Sequence, residues 1–181
     1  MKEEYLDIVD ENNILTGEKK PRKEVHNSGF WHRTVHIYYF MIKDNKYYFL
    51  CHLRSKDKDL CPNMWDIRFG GHLQAGESVE EALIEELKEE IGINTNVDDF
   101  IRGPIRKRNK YPNNEFTYTF YYKGSKEISK LKFEDGEIQK VKWFSVDDIA
   151  NNLKNNKKDW ANSLKSFDLI YNYLKNNNKK W

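Results

Sequence analysis

The chain has 181 residues, of which 33% are charged and 14% aromatic, and its net charge is only +2. That length suits one domain with a single core, and so small a charge excess gives no electrostatic case for a nucleic-acid polymer as partner. The longest apolar run, VHIYYFMI at 35–42, is far too short for a bilayer, and the acidic N-terminus lacks a signal segment's apolar stretch.

In chain order, YLDIVD (5–10) and ILTGEKK (14–20) flank an Asn-containing turn and predict a hairpin. TVHIYYFMIK (34–43) and KYYFLCHLR (46–54) are rich in β-branched and aromatic residues around Asp44-Asn45, a second hairpin signal. The two cysteines, Cys51 and Cys61, have neither CxxC spacing nor enough partners for a disulfide framework. Reduced thiols in a cytoplasmic protein are expected. A charged loop follows at 55–66, closed by Pro62.

The clearest helix begins at Ser78, which can cap it with Glu81 three residues on, and ends at Gly92. Val79, Ala82, Leu83, Leu87 and Ile91 recur at helical spacing and predict a buried stripe. Beyond it, FIRGPIRKR (100–108), EFTYTFYYKG (115–124) and IQKVKWFS (138–145) read as strands. Helices are predicted over 145–156 and 159–175, with a frayed end at 176–181. Interleaved strands and helices argue for an α/β or α+β chain, a mixed sheet with helices on its faces.

Chemistry concentrates on the central helix. Positions i, i+3 and i+4 share a face, so Glu86, Glu89 and Glu90 converge. A run of Glu is usually a solvated face, but this one follows the Gly70-Gly71 turn, which lets backbone come close. Crowded carboxylates become favourable around hard divalent cations, which prefer oxygen ligands.

The stretch from Gly70 to Ile93 resembles a Nudix box. Gly71, Glu77, Glu86, Leu87, Glu89, Glu90, Gly92 and Ile93 fall at its defined positions, and only Glu85, where an arginine is expected, departs. The resemblance implies a mixed sheet between helices and a hydrolase using Mg²⁺ or Mn²⁺. Glu86 and Glu89 would be catalytic, and the metal would be held by Gly71, Glu86, Glu89, Glu90 and Glu115. A single domain over 1–181 is expected, with a hairpin extension at 1–33, the box at 70–93 and a C-terminal helix and tail at 158–181. The implied partner is a small-molecule diphosphate, with no membrane, and a homodimer is the default assembly. Losing the arginine removes an oriented neighbour, a change that typically costs ~10–100-fold in affinity or activity. Arg68, Lys88 and the basic strand bearing Arg102, Arg106, Lys107 and Arg108 are candidate substitute cations. Glu85 could instead pair with Lys88.

The flanks look like the isopentenyl-diphosphate isomerase branch of that superfamily. The resemblance implies a second metal set at His26, His32 and His72 with Glu115, and diphosphate contacts at Arg22, Arg54 and Lys58. His36 and His52 match nothing and read as structural. The isomerases carry a cysteine just before the Gly-His pair, where this chain has Gly70. The expectation is therefore a pyrophosphohydrolase that cleaves a phosphoanhydride of a nucleoside or other organic diphosphate with metal-activated water. The alternatives are an isopentenyl-diphosphate delta-isomerase and a non-catalytic diphosphate- or nucleotide-binding module of the same fold.

Overall fold

The computed structural model describes residues 3–58, 60–125, 127–133 and 136–177. Strands β1 (Tyr5–Val9) and β2 (Leu15–Pro21) pair antiparallel as the first hairpin. A six-stranded mixed sheet follows, from β3 (His32–Lys43), β4 (Lys46–Arg54), β5 (Trp65–Asp66), β6 (Phe100–Arg108), β7 (Glu115–Lys123) and β8 (Ile138–Ser145). The pair β3–β7 is parallel, in register from His32↔Glu115 to Phe40↔Lys123, and the other pairings are antiparallel. The mixed sheet is the architecture that the sequence predicts.

Helix α2 (Val79–Ile91) covers one face. Val35, Ile37 and Tyr39 of β3 meet Ala82, Leu83, Leu87 and Ile91 there. Its ends follow from the local sequence. Ser78 Oγ accepts from Glu81 N at 3.2 Å, the Glu81 carboxylate accepts from Ser78 N at 2.9 Å, and Gly92 closes it at φ 66°. The opposite face packs Tyr38, Phe40, Phe49 and Cys51 against α3 (Val146–Asn155) and α4 (Leu164–Asn177). Each fully buried large apolar side chain of these two layers contributes roughly 1.5–3 kcal/mol.

Two helices depart from the sequence reading. A seven-residue helix, α1 (Arg22–Ser28), follows Pro21 and ends at Gly29, φ 72°. Helix α4 starts at Leu164, five residues later than predicted, because the preceding chain is held by β5. Ala161 N donates to Trp65 O at 2.9 Å, and the Asn162 side chain accepts from Ile67 N at 3.1 Å and donates to Asp66 at 3.0 Å. The helix runs on through Asn176 and Asn177, which were read as frayed; the remainder of that segment lies outside the described residues.

The segment Phe69–Leu73 lies beside the first half of β3. Ile37 N donates to Phe69 O at 2.8 Å, Val35 N to Gly71 O at 2.9 Å, and Leu73 N to Arg33 O at 3.1 Å. Hairpin β1–β2 holds the next turn, with Ala75 N donating to Tyr5 O and Gly76 N to Asp7 Oδ2, both at 2.7 Å. These ties set the glycine turn over the face of α2.

Candidate active site

The α2 carboxylates open onto a cleft of about 470 Å³, whose acidic lining is Glu3, Glu4, Glu77, Glu85, Glu86 and Glu89, with His72 and Gln74. Gly71 fits here for want of a side chain, because a Cβ would collide with the Glu86 carboxylate. Glu90 is buried. One of its oxygens accepts from Gly70 N at 3.2 Å, and Oε2 has no hydrogen-bond partner. Burial pushes Glu86 up to about 8, with help from Glu89, Glu137 and Glu77. Burial and then Glu86 raise Glu90 well above the ordinary carboxylate range. An orphaned carboxylate oxygen in a crowded acidic pocket fits a hard divalent cation, because the cation supplies the missing partner. The Gly71 carbonyl is already engaged by Val35 N, whereas the Gly70 carbonyl takes no hydrogen bond among the described residues.

His26, His32 and His72 form a second locus, their ligating nitrogens all within 4.8 Å of one another. The closest approach is His26 Nε2 to His72 Nε2 at 3.1 Å. Burial lowers all three pKa values, with His32 and Arg22 adding to the effect on His26 and His72. The rings are therefore neutral at pH 7. His32 Nδ1 lies 3.1 Å from Phe30 O. Donating there leaves Nε2 unprotonated, and that atom is buried with no partner. This donor set fits a transition-type divalent ion. Glu115 is level with His32 across the β3–β7 register, and its carboxylate pairs with Arg108 at 3.3 Å.

The sequence-predicted basic residues are dispersed. Arg22 pairs with Glu4 at 3.0 Å at the edge of the cleft. Arg54 donates to Leu60 O at 3.0 Å and stands 3.5 Å from Asp66, so it serves the β4–β5 corner. Lys58 pairs with Glu137, and its charge opposes, without overcoming, the rise at Glu86 and Glu90. Most candidate substitutes for the missing arginine are engaged elsewhere. Arg68 is held by Asp66 at 3.0 Å and Arg102 by Glu80 at 2.7 Å. Arg106 binds His36, Lys107 binds Glu11 O, and Arg108 binds Glu115. Glu85 is exposed on the cleft and forms no ion pair with Lys88 among the described residues.

Sequence reasoning missed Glu3 and Glu4, which only the hairpin's docking brings to the cleft. It also missed Asp66, wholly buried. Burial would raise its pKa, but Arg68, His52 and Arg54 outweigh that and hold the carboxyl below its usual value. The structural reading of His52 agrees with its position, buried against the Phe69 ring.

The chain is similar to known proteins. The model of the NUDIX domain matches residues 30–167. An uncharacterised Nudix hydrolase of Clostridium acetobutylicum is 35% identical over 159 residues, 86% of this chain and 76% of that one. An isopentenyl-diphosphate delta-isomerase of Escherichia coli is 29% identical over 114 residues, 61% of this chain and 60% of its own. A solved structure from Deinococcus radiodurans shares the fold at TM-score 0.66 and 20% identity, covering 94% of this chain and 99% of that one. With a domain match across most of the sequence and a relative 35% identical over 86% of it, the chain belongs to the Nudix family.

Proposed function

We propose that the chain is a divalent-metal-dependent hydrolase of an organic diphosphate, with the reaction at the acidic cleft. The observation that carries this reading is the pairing of Glu86 and Glu90, two carboxylates crowded behind the Gly70-Gly71 turn with one oxygen orphaned. Glu86, Glu89 and Glu90 would hold the cation. When bound, it offsets the charge of the diphosphate and polarises the phosphorus–oxygen bonds. Glu89, exposed on the cleft, orients the attacking water and takes its proton on a carboxylate oxygen. The water oxygen bonds to phosphorus as the bridging P–O bond breaks. Glu77 accepts from Gln74 N at 2.7 Å and keeps the turn before the helix in place. Lys58, paired with Glu137, contributes a positive charge that partly offsets the crowding at Glu86 and Glu90.

An isomerase needs a proton donor and acceptor on either side of a carbon skeleton, and Gly70 offers neither. Cys51 cannot serve, since it is sealed between the sheet and the α3–α4 layer and burial pushes its thiol well up. The test is turnover of nucleoside and isoprenoid diphosphates with Mg²⁺ or Mn²⁺, following released phosphate and the organic product beside a Glu89→Gln control. Phosphate release abolished in the control supports the hydrolase. A rearranged allylic product without phosphate, or metal-dependent binding with no product, overturns it.

A further inference from the structure

A second cavity, of about 320 Å³, opens on the face of the sheet that α4 covers, and its charge is opposite to that of the cleft. His36 and Tyr38 of β3, Arg106 and Arg108 of β6, Arg68 and Asn162 build much of its wall. Glu115 also lines it and pairs with His32 in the strand register, while His72 of the same histidine cluster lines the cleft, so the cluster stands between the two spaces.

The cations differ in how they are compensated. Arg68 has Asp66 at 3.0 Å and Arg108 has Glu115 at 3.3 Å. Lys107 turns its ammonium to Glu11 O and lies over the Trp31 ring. Arg106 has no carboxylate partner among the described residues. Its Nη2 meets only His36 Nδ1 at 3.1 Å and Tyr38 Oη at 3.3 Å, and its Nε is buried with no hydrogen-bond partner. Both contacts are uncharged: burial and the nearby Arg68 and Arg106 hold His36 neutral, and burial raises the Tyr38 phenol. A half-buried guanidinium with neutral contacts and a spare donor lacks a counter-charge. An oxyanion that can take two parallel hydrogen bonds, a carboxylate or a phosphate, matches its fork. A hydrocarbon chain in the same space would strip water from Arg106 and give nothing back.

We propose that this cavity is an oxyanion-recognition site, and that the organic part of the substrate carries the phosphate monoester or carboxylate that fills it. Asn162, Ser166 and Thr117 supply neutral polar contacts around that group. Assigning the oxyanion to the substrate rests on the hydrolase reading above; the site itself does not.

The first arm of the test uses the full chain freed of metal with EDTA. Inorganic phosphate and acetate are titrated separately against sodium chloride at equal ionic strength, following the Arg106 Nε–H signal by NMR. The expected result is a saturable shift of that signal with at least one of the two anions, present also in Glu89→Gln. Whichever binds names the group. Arg106→Met and Ser166→Asp, the latter leaving Arg106 in place with a built-in carboxylate, should both weaken binding about ten- to a hundredfold as judged by thermal shift. No saturable shift with either anion, or unchanged affinity in both variants, overturns the site.

The second arm compares nucleoside 5′-diphosphates with and without a 3′-phosphate, and a diphosphate whose organic part bears a carboxylate. Arg106→Met should raise KM about tenfold for the doubly anionic substrates only, with kcat unchanged. An equal loss of kcat across the panel overturns the assignment to substrate. Anion binding without turnover of any diphosphate upholds the oxyanion site and sinks the hydrolase reading.

Discussion

Replacing Glu86 with glutamine should stabilise the metal-free protein at high pH, although it removes a residue at the heart of the cleft. Burial, and then Glu89, Glu137 and Glu77, lift Glu86 from 4.5 to about 8. A carboxyl whose pKa is raised on folding contributes stability that is fully present below the unfolded value. That stability is lost as pH rises through the folded value. Between about pH 4.5 and 8 the folded chain therefore pays to ionise Glu86, at ~1.4 kcal/mol per pH unit. The whole interval would amount to ~5 kcal/mol for a dry group; Glu86 is half-buried, and solvent screening brings this to about 2–3 kcal/mol. Glutamine has nothing to ionise. Urea titrations in EDTA at pH 5 and pH 8 should show the wild type losing about 2 kcal/mol more than Glu86→Gln on going to the higher pH. Adding Mn²⁺ at pH 8 should reverse the order, because the carboxylate then has its counter-charge. Parallel pH dependence in EDTA for the two proteins would refute the reasoning, since it would mean that Glu86 is no harder to ionise folded than unfolded.

Gly71→Ala should abolish turnover while leaving the far-ultraviolet circular dichroism intact, as the new methyl group drives Glu86 from its place; retained activity would show that the close approach is dispensable. Glu85→Arg, on the exposed rim of the cleft, should lower the Mn²⁺ concentration for half-maximal turnover by about tenfold, read from metal titrations at fixed substrate. Asp66→Asn should cost about 3–5 kcal/mol in urea unfolding, because it leaves the Arg68 guanidinium without its buried partner. His32→Gln should lower by one the number of Mn²⁺ ions retained on equilibrium dialysis while the α2 site stays filled; an unchanged stoichiometry would count against the histidine locus.

Much of this molecule could be read from its residues, and the divide is physical. Helix α2 announces itself through the Ser78–Glu81 cap, the Leu83–Leu87–Ile91 spacing and Gly92, all of which are local signals. Helix α1 is seven residues long with Val25 as its one buried residue, so no periodicity could emerge; the flanking Pro21 and Gly29 were its signal. The row His32, Thr34, His36 and Tyr38 lies buried along one face of β3. Because the sheet is covered on both sides, its polar and apolar residues merge into one run and the alternation is hidden. Pairings across long separations were the least legible. Arg54 and Asp66 meet through the β4–β5 corner, and Arg106 faces His36 from two strands away. Nothing local in either segment dictates those encounters.

Gly70 bears on how this chain relates to its isomerase cousins. Its backbone stands at φ 115°, and a Cβ there would press into the carbonyl oxygen of Val35. Cysteine at this position would therefore lever the segment away from β3, loosening the hydrogen bonds that set the turn over α2. A codon change alone would not seat a cysteine here: the backbone would first have to be relaid, and with it the turn that lies over the α2 carboxylates. Glycine at position 70 thus acts as a latch by omission: the close approach of the turn to β3 lasts only while that position stays bare.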